Sequence, residues 1–277
     1  MIARIVRWQE WARIWIGHWL SRPFHFLFNL IPHVQFGLSR LVVSHLTCSH
    51  PVMAGRRAVQ LSDLHLDRYL PRHDEIVRTV EGARPDWIFI TGDLLNVRSG
   101  LPHLIRFLSQ LRRVAPVFVI LGNHDHYSGV RVDEFADLFD RHKISLLINQ
   151  TSMIPLSSGE LALVGTDDPS LHRADLRCIP PHLPNRFTLL LAHAPSILDQ
   201  LNDQHHVDLI LCGHSHAGQW QIPLVPTFWL PPGCNGRLHG LYEQNSHRMY
   251  VNRGLGWSAL PIRWNCDPEL LVLEWTA

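Results

Sequence analysis

The sequence predicts an α/β domain. Three observations carry that expectation. From Arg56 onward, short strand-like apolar runs alternate with amphipathic helical stretches. Most of those runs are apolar at consecutive positions, the pattern of a sheet covered on both faces. Hydrophobic residues make up 46% of the 277 and charged residues 18%, a composition that excludes a disordered chain and is long enough to bury a substantial core.

The elements follow in order. Residues 57–65, RAVQLSDLH, read as a strand ending in polar residues, and 74–83, DEIVRTVEGA, as a helix. DWIFITGDLL at 86–95 is a strand, LPHLIRFLSQLRR at 101–113 a helix and PVFVILGNHD at 116–125 the next strand. DEFADLFDRH at 133–142 is helical, and ISLLI at 144–148 is strand-like. Strands are then expected within LALVGTDD (161–168), FTLLLAHAP (187–195), VDLILCGHSH (207–216), RMYVNRG (248–254) and ELLVLEW (269–275). Alternation of the two element types defines an α/β domain. The last third holds more strands than helices, so a second sheet packed on the first is expected.

Residues 1–50 differ in kind. They hold five arginines (4, 7, 13, 22 and 40) and one acid, Glu10, for a charge of +4. Trp8, Trp11, Trp15 and Trp19 recur among Ile2, Ile5, Val6, Ile16 and Leu20. Tryptophan and arginine at helical spacing suit a bilayer interface, where the ring is half wet and the guanidinium meets lipid phosphate. Pro32 and the polar residues His25, Asn29, His33 and Gln35 interrupt the apolar stretch that follows. No window reaches the ~20 uninterrupted apolar residues of a membrane span, and charges break up any signal-peptide core. The expected organisation is a helical membrane-surface segment over 1–50 and a catalytic domain over 51–277. The competing reading packs the leader on the protein's own core or at a subunit interface. The five scattered cysteines show no metal-knuckle or redox spacing and no disulfide framework. A net charge of +1 gives no electrostatic case for a nucleic-acid partner.

The informative residues lie where the apolar runs stop. One run ends in Asp63 and His65, another in Asp93, and a third in Asn123, His124, Asp125 and His126. A fourth ends in His193 and a fifth in His214 and His216. In α/β sheets, sites form beyond the carboxyl ends of strands. Burying so many carboxylates and imidazoles together without a cation is costly. Two Asp, one Asn and four His are the donor set for two borderline-to-hard divalent metals, with Mn, Fe and Zn all compatible.

These endings, DLH, GDLLN, GNHDH, AHAP and GHSHAGQ, resemble the five ordered motifs of the calcineurin-like metallophosphoesterases. GTDDP, GLYEQN and the C-terminal RMYVNRGLGWSALPIRWNCDPELLVLEW are similar to the bacterial membrane-associated branch, which includes phosphodiesterases and one type of UDP-2,3-diacylglucosamine hydrolase of lipid A synthesis. The resemblance spans 56–277. It implies a four-layer αββα sandwich. It also implies that Asp63, His65 and His216 hold one ion, that Asn123, His193 and His214 hold the other, and that Asp93 bridges them. His124 is similar to the family histidine that stabilises the transition state or protonates the leaving oxygen. Asp125 either orients His124 or is a structural turn residue, and His126 either supports the site or lies on the surface.

Two ions about 3.5–4 Å apart share a water, lower its pKa and supply hydroxide for in-line attack on phosphorus. The expected function is therefore dinuclear metal-dependent hydrolysis of a phosphoester or pyrophosphate. The apolar stretch WQIPLVPTFWLPPG after His216 and the Trp/Arg leader point to a lipid-linked substrate such as UDP-2,3-diacylglucosamine, met at the cytoplasmic face of the inner membrane by a peripheral protein. Arg253 and Arg263 are candidates for a phosphate contact. The alternatives are a phosphodiesterase for soluble nucleotides and a non-catalytic metal-binding scaffold.

Overall fold

A computed structural model describes residues 34–36, 40–227, 229–258 and 262–277. Most of the expected leader, residues 1–33 and 37–39, lies outside the described residues. The chain enters with strands β1 (Val34–Phe36), β2 (Val42–Ser49) and β3 (Arg57–Leu61). Helix α1 (Pro71–Ala83), β4 (Trp87–Thr91), α2 (Leu101–Val114) and β5 (Val117–Ile120) follow. Next come a short helix α3 (Asn123–Tyr127), α4 (Val132–Arg141) and the two-residue strand β6 (Ser145–Leu146). The second half is β7 (Gln150–Leu156), β8 (Gly159–Gly165), β9 (Arg186–Leu191), β10 (Leu209–Cys212), β11 (Gly240–Gln244), β12 (His247–Val251), β13 (Ile262–Trp264) and β14 (Glu269–Thr276).

Two six-stranded mixed sheets result. The first has the order β2-β14-β3-β4-β5-β6 and the second β11-β12-β10-β9-β8-β7, while β1 pairs with β13 in a separate two-stranded ribbon. The central strands β3, β4 and β5 are parallel, as are β8, β9, β10 and β12. Their continuous apolar sequences are explained by burial on both faces. On one face of the first sheet, Val59, Leu61, Ile88, Ile90 and Val119 pack on Ile76 and Val80 of α1 and on Leu104 and Phe107 of α2. On its other face Phe89, Phe118, Ile120 and Leu271 meet Leu161, Leu163, Leu189, Leu191 and Leu211 of the second sheet. The outer face of the second sheet packs Val164, Leu190, Ile210 and Met249 against Ile197, Leu198, Leu201 and Val207. The layers are those expected. The fourth is thin, built from the 3-10 turns Pro169–Leu171, Leu176–Cys178 and Pro195–Asp199 with their connecting loops.

The structure corrects the boundary drawn at residue 50. Residues 42–49 are not part of a helical segment. They form edge strand β2, paired with β14 over eight positions from Val42↔Glu269 to Ser49↔Thr276. Val42 to Ser49 alternates half-buried and exposed positions up to the buried Cys48, the period-2 pattern of a strand. The arginine and tryptophan content of the preceding residues had masked this short register. Helix α3 and strands β7 and β11 were also not anticipated from sequence. Five residues give α3 too short a period to detect, and β7 and β11 are outer strands with mixed polarity.

Candidate metal centre

Both sheets deliver donors to one place. Asp63, Asp93 and Asn123 follow β3, β4 and β5 of the first sheet, while His193, His214 and His216 follow β9 and β10 of the second. Parallel pairing of β3-β4-β5 and of β9-β10 aligns these ends. Asp63, His65, Asp93 and His216 form one buried group of donor atoms lying within 4.8 Å of one another, and Asp93, His193 and His214 form a second within the same limit. Asp93 belongs to both. Its Oδ2 lies 3.3 Å from His193 Nε2 and 3.6 Å from His65 Nε2, and its Oδ1 accepts the His124 backbone N–H at 2.9 Å.

The local backbone is bent to make this possible. Asp63, His65, Asp93, His214 and His216 all have φ between 42° and 69°, a region disfavoured for residues with a Cβ. Such strain persists only where the surrounding structure imposes it, and it concentrates at functional sites. Gly213 shows the crowding: a Cβ there would run into Ser62 Oγ and the Asp63 carboxylate.

Most of the imidazoles are fixed through their far nitrogens. His193 Nδ1–H donates to Thr91 O at 2.8 Å, leaving Nε2 toward Asp93, and His214 Nε2–H donates to Pro232 O at 2.8 Å, leaving Nδ1 toward His193 Nε2 at 3.1 Å. His65 Nδ1–H donates to Asn96 Oδ1 at 2.7 Å, and Asp67 in turn accepts from the Asn96 side chain and backbone N–H at 2.8 Å each. His65 Nε2 then faces His216 Nε2 at 3.2 Å, and His216 Nε2 lies 3.4 Å from Asp63 Oδ1. Carbonyls and carboxamides that hold ring tautomers in this way are characteristic of metal-binding histidines.

Electrostatics agree. Burial, with the neighbouring His124, pushes His65 down to about 3, and burial with His193 does the same to His214. Burial and the adjacent His65 and Arg263 hold His216 well below the ordinary value. These rings are neutral at neutral pH, with lone pairs free to bind a cation. At His193 burial acts in the same direction, but the Asp93 carboxylate outweighs it and lifts the ring above its ordinary value. Burial pushes Asp63 up to about 6, with the positive His193 opposing. At Asp93 burial is outweighed by the neighbouring His193 and His124, which hold the carboxyl well below its ordinary value, whereas Asp63 lacks enough positive charge beside it, which a divalent ion would supply.

The chain's own residues fit such ions. Asn123 Oδ1 is buried and has no hydrogen-bond partner among the described residues, although buried carbonyl oxygens are nearly always paired. It begins α3 directly after Gly122, whose backbone is so close to Asp93 that a Cβ there would run into the carboxylate. His124 Nδ1 is likewise buried and unpartnered, and its ring meets His65 edge-on with centroids 4.8 Å apart. Six of the seven expected donors are therefore brought together, with the His124 ring against His65 and Asn123 next in sequence to Gly122 at the shared aspartate.

The flanking residues divide. Asp125 is structural: it accepts from the backbone N–H of Leu94, Leu95 and Gly122 at 2.9, 3.2 and 2.9 Å, tying the loop after β4 to α3. His126 pairs with Asp167, Nε2 to Oδ1 at 2.6 Å. Arg263 is not available to a phosphate. It is the largest fully buried side chain among the described residues, and it donates to the carbonyls of Arg253, Gly254, Gly256 and Cys266, with Nη2 3.3 Å from His216 Nδ1. Arg253 keeps a buried Nε without a partner, and the neighbouring Gly254 packs against Asp63, where an added Cβ would come within 2.7 Å of the Asp63 Cβ. Sequence reasoning missed Asn96 and Asp67, although both lie within or beside DLH and GDLLN. It could not have found the carbonyls of Thr91 and Pro232, since a backbone acceptor leaves no mark on residue identity.

Comparison with known proteins agrees with this geometry. The sequence profile of the calcineurin-like phosphoesterases matches residues 56–218. The uncharacterized metallophosphoesterase YkuE of Bacillus subtilis is 30% identical over 254 residues, 86% of this chain and 88% of its own length. The phosphodiesterase YaeI of Escherichia coli is 33% identical over 220 residues, 77% of this chain and 80% of its own. The sulfate thiohydrolase SoxB of Thermus thermophilus, solved with glycerol, superposes with a TM-score of 0.51 at 12% identity over 80% of this chain and 57% of its own, a likeness of fold alone. The profile match takes in every one of the seven donors, and on that ground the chain belongs to the calcineurin-like phosphoesterases, a family of metal-dependent hydrolases.

Proposed function

We propose that this protein is a dinuclear metal-dependent phosphodiesterase or pyrophosphatase that acts on a lipid-linked substrate at the cytoplasmic face of the inner membrane. The observation that carries the dinuclear reading is Asp93, whose carboxylate stands in both donor groups. Asp63, His65 and His216 would hold one ion, Asn123, His193 and His214 the other, with Asp93 shared. When bound, the ions supply an acidified water and neutralise phosphoryl charge, and Mn, Fe and Zn each suit these ligands. Thr91, Pro232 and Asn96 keep the ligating nitrogens of His193, His214 and His65 pointed inward through the reaction. His124, held over His65 and anchored through its backbone N–H to Asp93, delivers a proton to the leaving oxygen. Arg253, whose backbone N–H is held by the Glu269 carboxylate and whose guanidinium forms no ion pair among the described residues, is the contact for a second anionic group of the substrate.

The lipid-linked form is supported by the Trp/Arg composition of residues 1–33 and by the apolar stretch that follows His216. Its sharper version is UDP-2,3-diacylglucosamine hydrolysis. The test incubates Mn(II)-loaded protein with UDP-2,3-diacylglucosamine and with bis-p-nitrophenyl phosphate, and follows UMP and p-nitrophenol. Release of UMP supports the lipid A assignment. Hydrolysis of the nitrophenyl diester or a cyclic nucleotide alone removes that assignment and leaves a phosphodiesterase for soluble substrates. Divalent-metal binding without hydrolysis of any of these substrates removes both and leaves the metal-binding scaffold.

A further inference from the structure

Directly beyond the metal centre the chain makes an outward turn with an unusual tip. Pro223, Leu224, Val225 and Pro226 are all exposed, with Leu224 fully so at 105% relative accessibility and Val225 at 48%. Isolated exposed apolar residues are ordinary. Pro223 and Pro226 are ordinary turn residues, but the two large apolar side chains between them, Leu224 and Val225, are not what a solvated turn favours. Leu224 also has φ of 67°, a left-handed position where glycine or asparagine costs less. Turn geometry therefore does not explain this leucine, and the core does not use it.

The base of the turn is firmly held. Trp220 and Trp229 meet across it with ring centroids 5.8 Å apart and planes tilted by 55°. Gln221 N–H donates to Trp264 O at 2.9 Å, Gln221 Nε2–H to Ala217 O at 2.8 Å, and Asn265 Nδ2–H to Gln221 O at 2.9 Å. Thr227 packs so closely on Gly218, two residues after His216, that a Cβ there would meet it at 2.7 Å. The same corner receives the N-terminal chain: β1 pairs with β13 in the register Val34↔Trp264, and Trp264 bridges to Trp220. Val34, the residue that follows the Trp- and Arg-rich sequence 1–33, thus lies at the base of this turn.

We infer that the 223–226 tip inserts into an anionic lipid bilayer, as a second membrane contact that aims the metal centre at the membrane surface. A rigid base with an uncharged apolar tip suits hydrocarbon, which asks for no shape complementarity, and the four arginines in the sequence of residues 1–33 suit lipid phosphates. A second copy of the chain is a poorer occupant. A stable protein interface buries about 800 Å² per partner, more than four side chains at a protruding tip offer. The inference rests on the membrane reading of the leader, and the two fail separately in the following test.

The experiment sediments the full chain with vesicles of phosphatidylethanolamine and phosphatidylglycerol. It compares wild type with Leu224→Asp/Val225→Asp and with Arg4→Glu/Arg7→Glu. Folding is monitored by hydrolysis of bis-p-nitrophenyl phosphate in lipid-free buffer, and Leu224→Asn/Val225→Asn, which suits the left-handed backbone, serves as a gentler variant. The expected result is at least a ~tenfold loss of vesicle partitioning for both tip variants, as for withdrawing one Leu and one Val from hydrocarbon, with soluble hydrolysis unchanged. Tip variants that partition like wild type while Arg4→Glu/Arg7→Glu is released would overturn the tip and leave the leader standing. Wild type that stays in the supernatant overturns both. A concentration-dependent dimer in lipid-free buffer, abolished by the tip variants, identifies a second copy as the occupant and overturns the lipid assignment.

Discussion

Asp93 and His124 illustrate two kinds of dependence at a single centre. Asp93 offers one carboxylate to two donor groups, whereas His124 has a buried Nδ1 without a partner and no place in either group. Further out, Asn96 is held by Asp67 and reaches the donor groups through the far nitrogen of His65. These positions predict separable phenotypes. His124→Ala should lower kcat by about 10²–10⁴, with two metals still bound by elemental analysis. Asn96→Ala should weaken metal affinity by about 10–100-fold, with kcat recovering at saturating Mn(II). A His124→Ala protein that loses metal, or an Asn96→Ala protein whose kcat stays low at any metal concentration, contradicts the assignment. The donors themselves were legible in the sequence because each follows an apolar run that ends abruptly. The partners that orient them were not, because Thr91 and Pro232 act through backbone carbonyls.

At the scale of elements, β2 matters most to how the protein is handled. It covers the edge of β14, and β14 joins β2 to β3 in the first sheet. A chain starting at residue 51 exposes eight positions of β14 as an open edge. Net hydrogen-bond contributions of about 0.5–1.5 kcal/mol each make the loss at least about 3 kcal/mol, or roughly 6–12 °C in Tm at this chain length. A chain starting at residue 34 keeps the strand and should melt within ~2 °C of the full chain if these figures hold. Equal melting of the two truncations by calorimetry would exclude a stabilising role for β2. The consecutive apolar runs of β3, β4, β5, β9 and β10 were readable because doubly covered strands carry no polar face. Edge strands such as β2, β7 and β11 were not, since half their residues face water and blend with loops.

At the scale of the whole molecule, the metal centre joins the two sheets. The first supplies Asp63, Asp93 and Asn123, the second His193, His214 and His216. Ions held there bind the folded state alone, and at a hundredfold excess over Kd a bound ligand adds about 2.7 kcal/mol per site. Chelation with EDTA should therefore lower the urea midpoint, and Mn(II) should restore it, with no change in the slope of the transition. A midpoint indifferent to chelator would mean that the seven donors do not bridge the sheets through a cation.

The sequence by itself determined the class of domain and the order of its central elements, and it marked seven candidate donors at the strand ends. Burial on both faces and abrupt polar strand ends are properties of residue type and spacing alone. Only the tertiary structure decided the distances that gather the donors around Asp93, that Arg263 spends its guanidinium on buried carbonyls, that residues 42–49 belong to the sheet, and that Leu224 and Val225 are exposed. Those facts depend on distances between segments far apart in the chain, and register and packing set such distances after the local pattern has been satisfied.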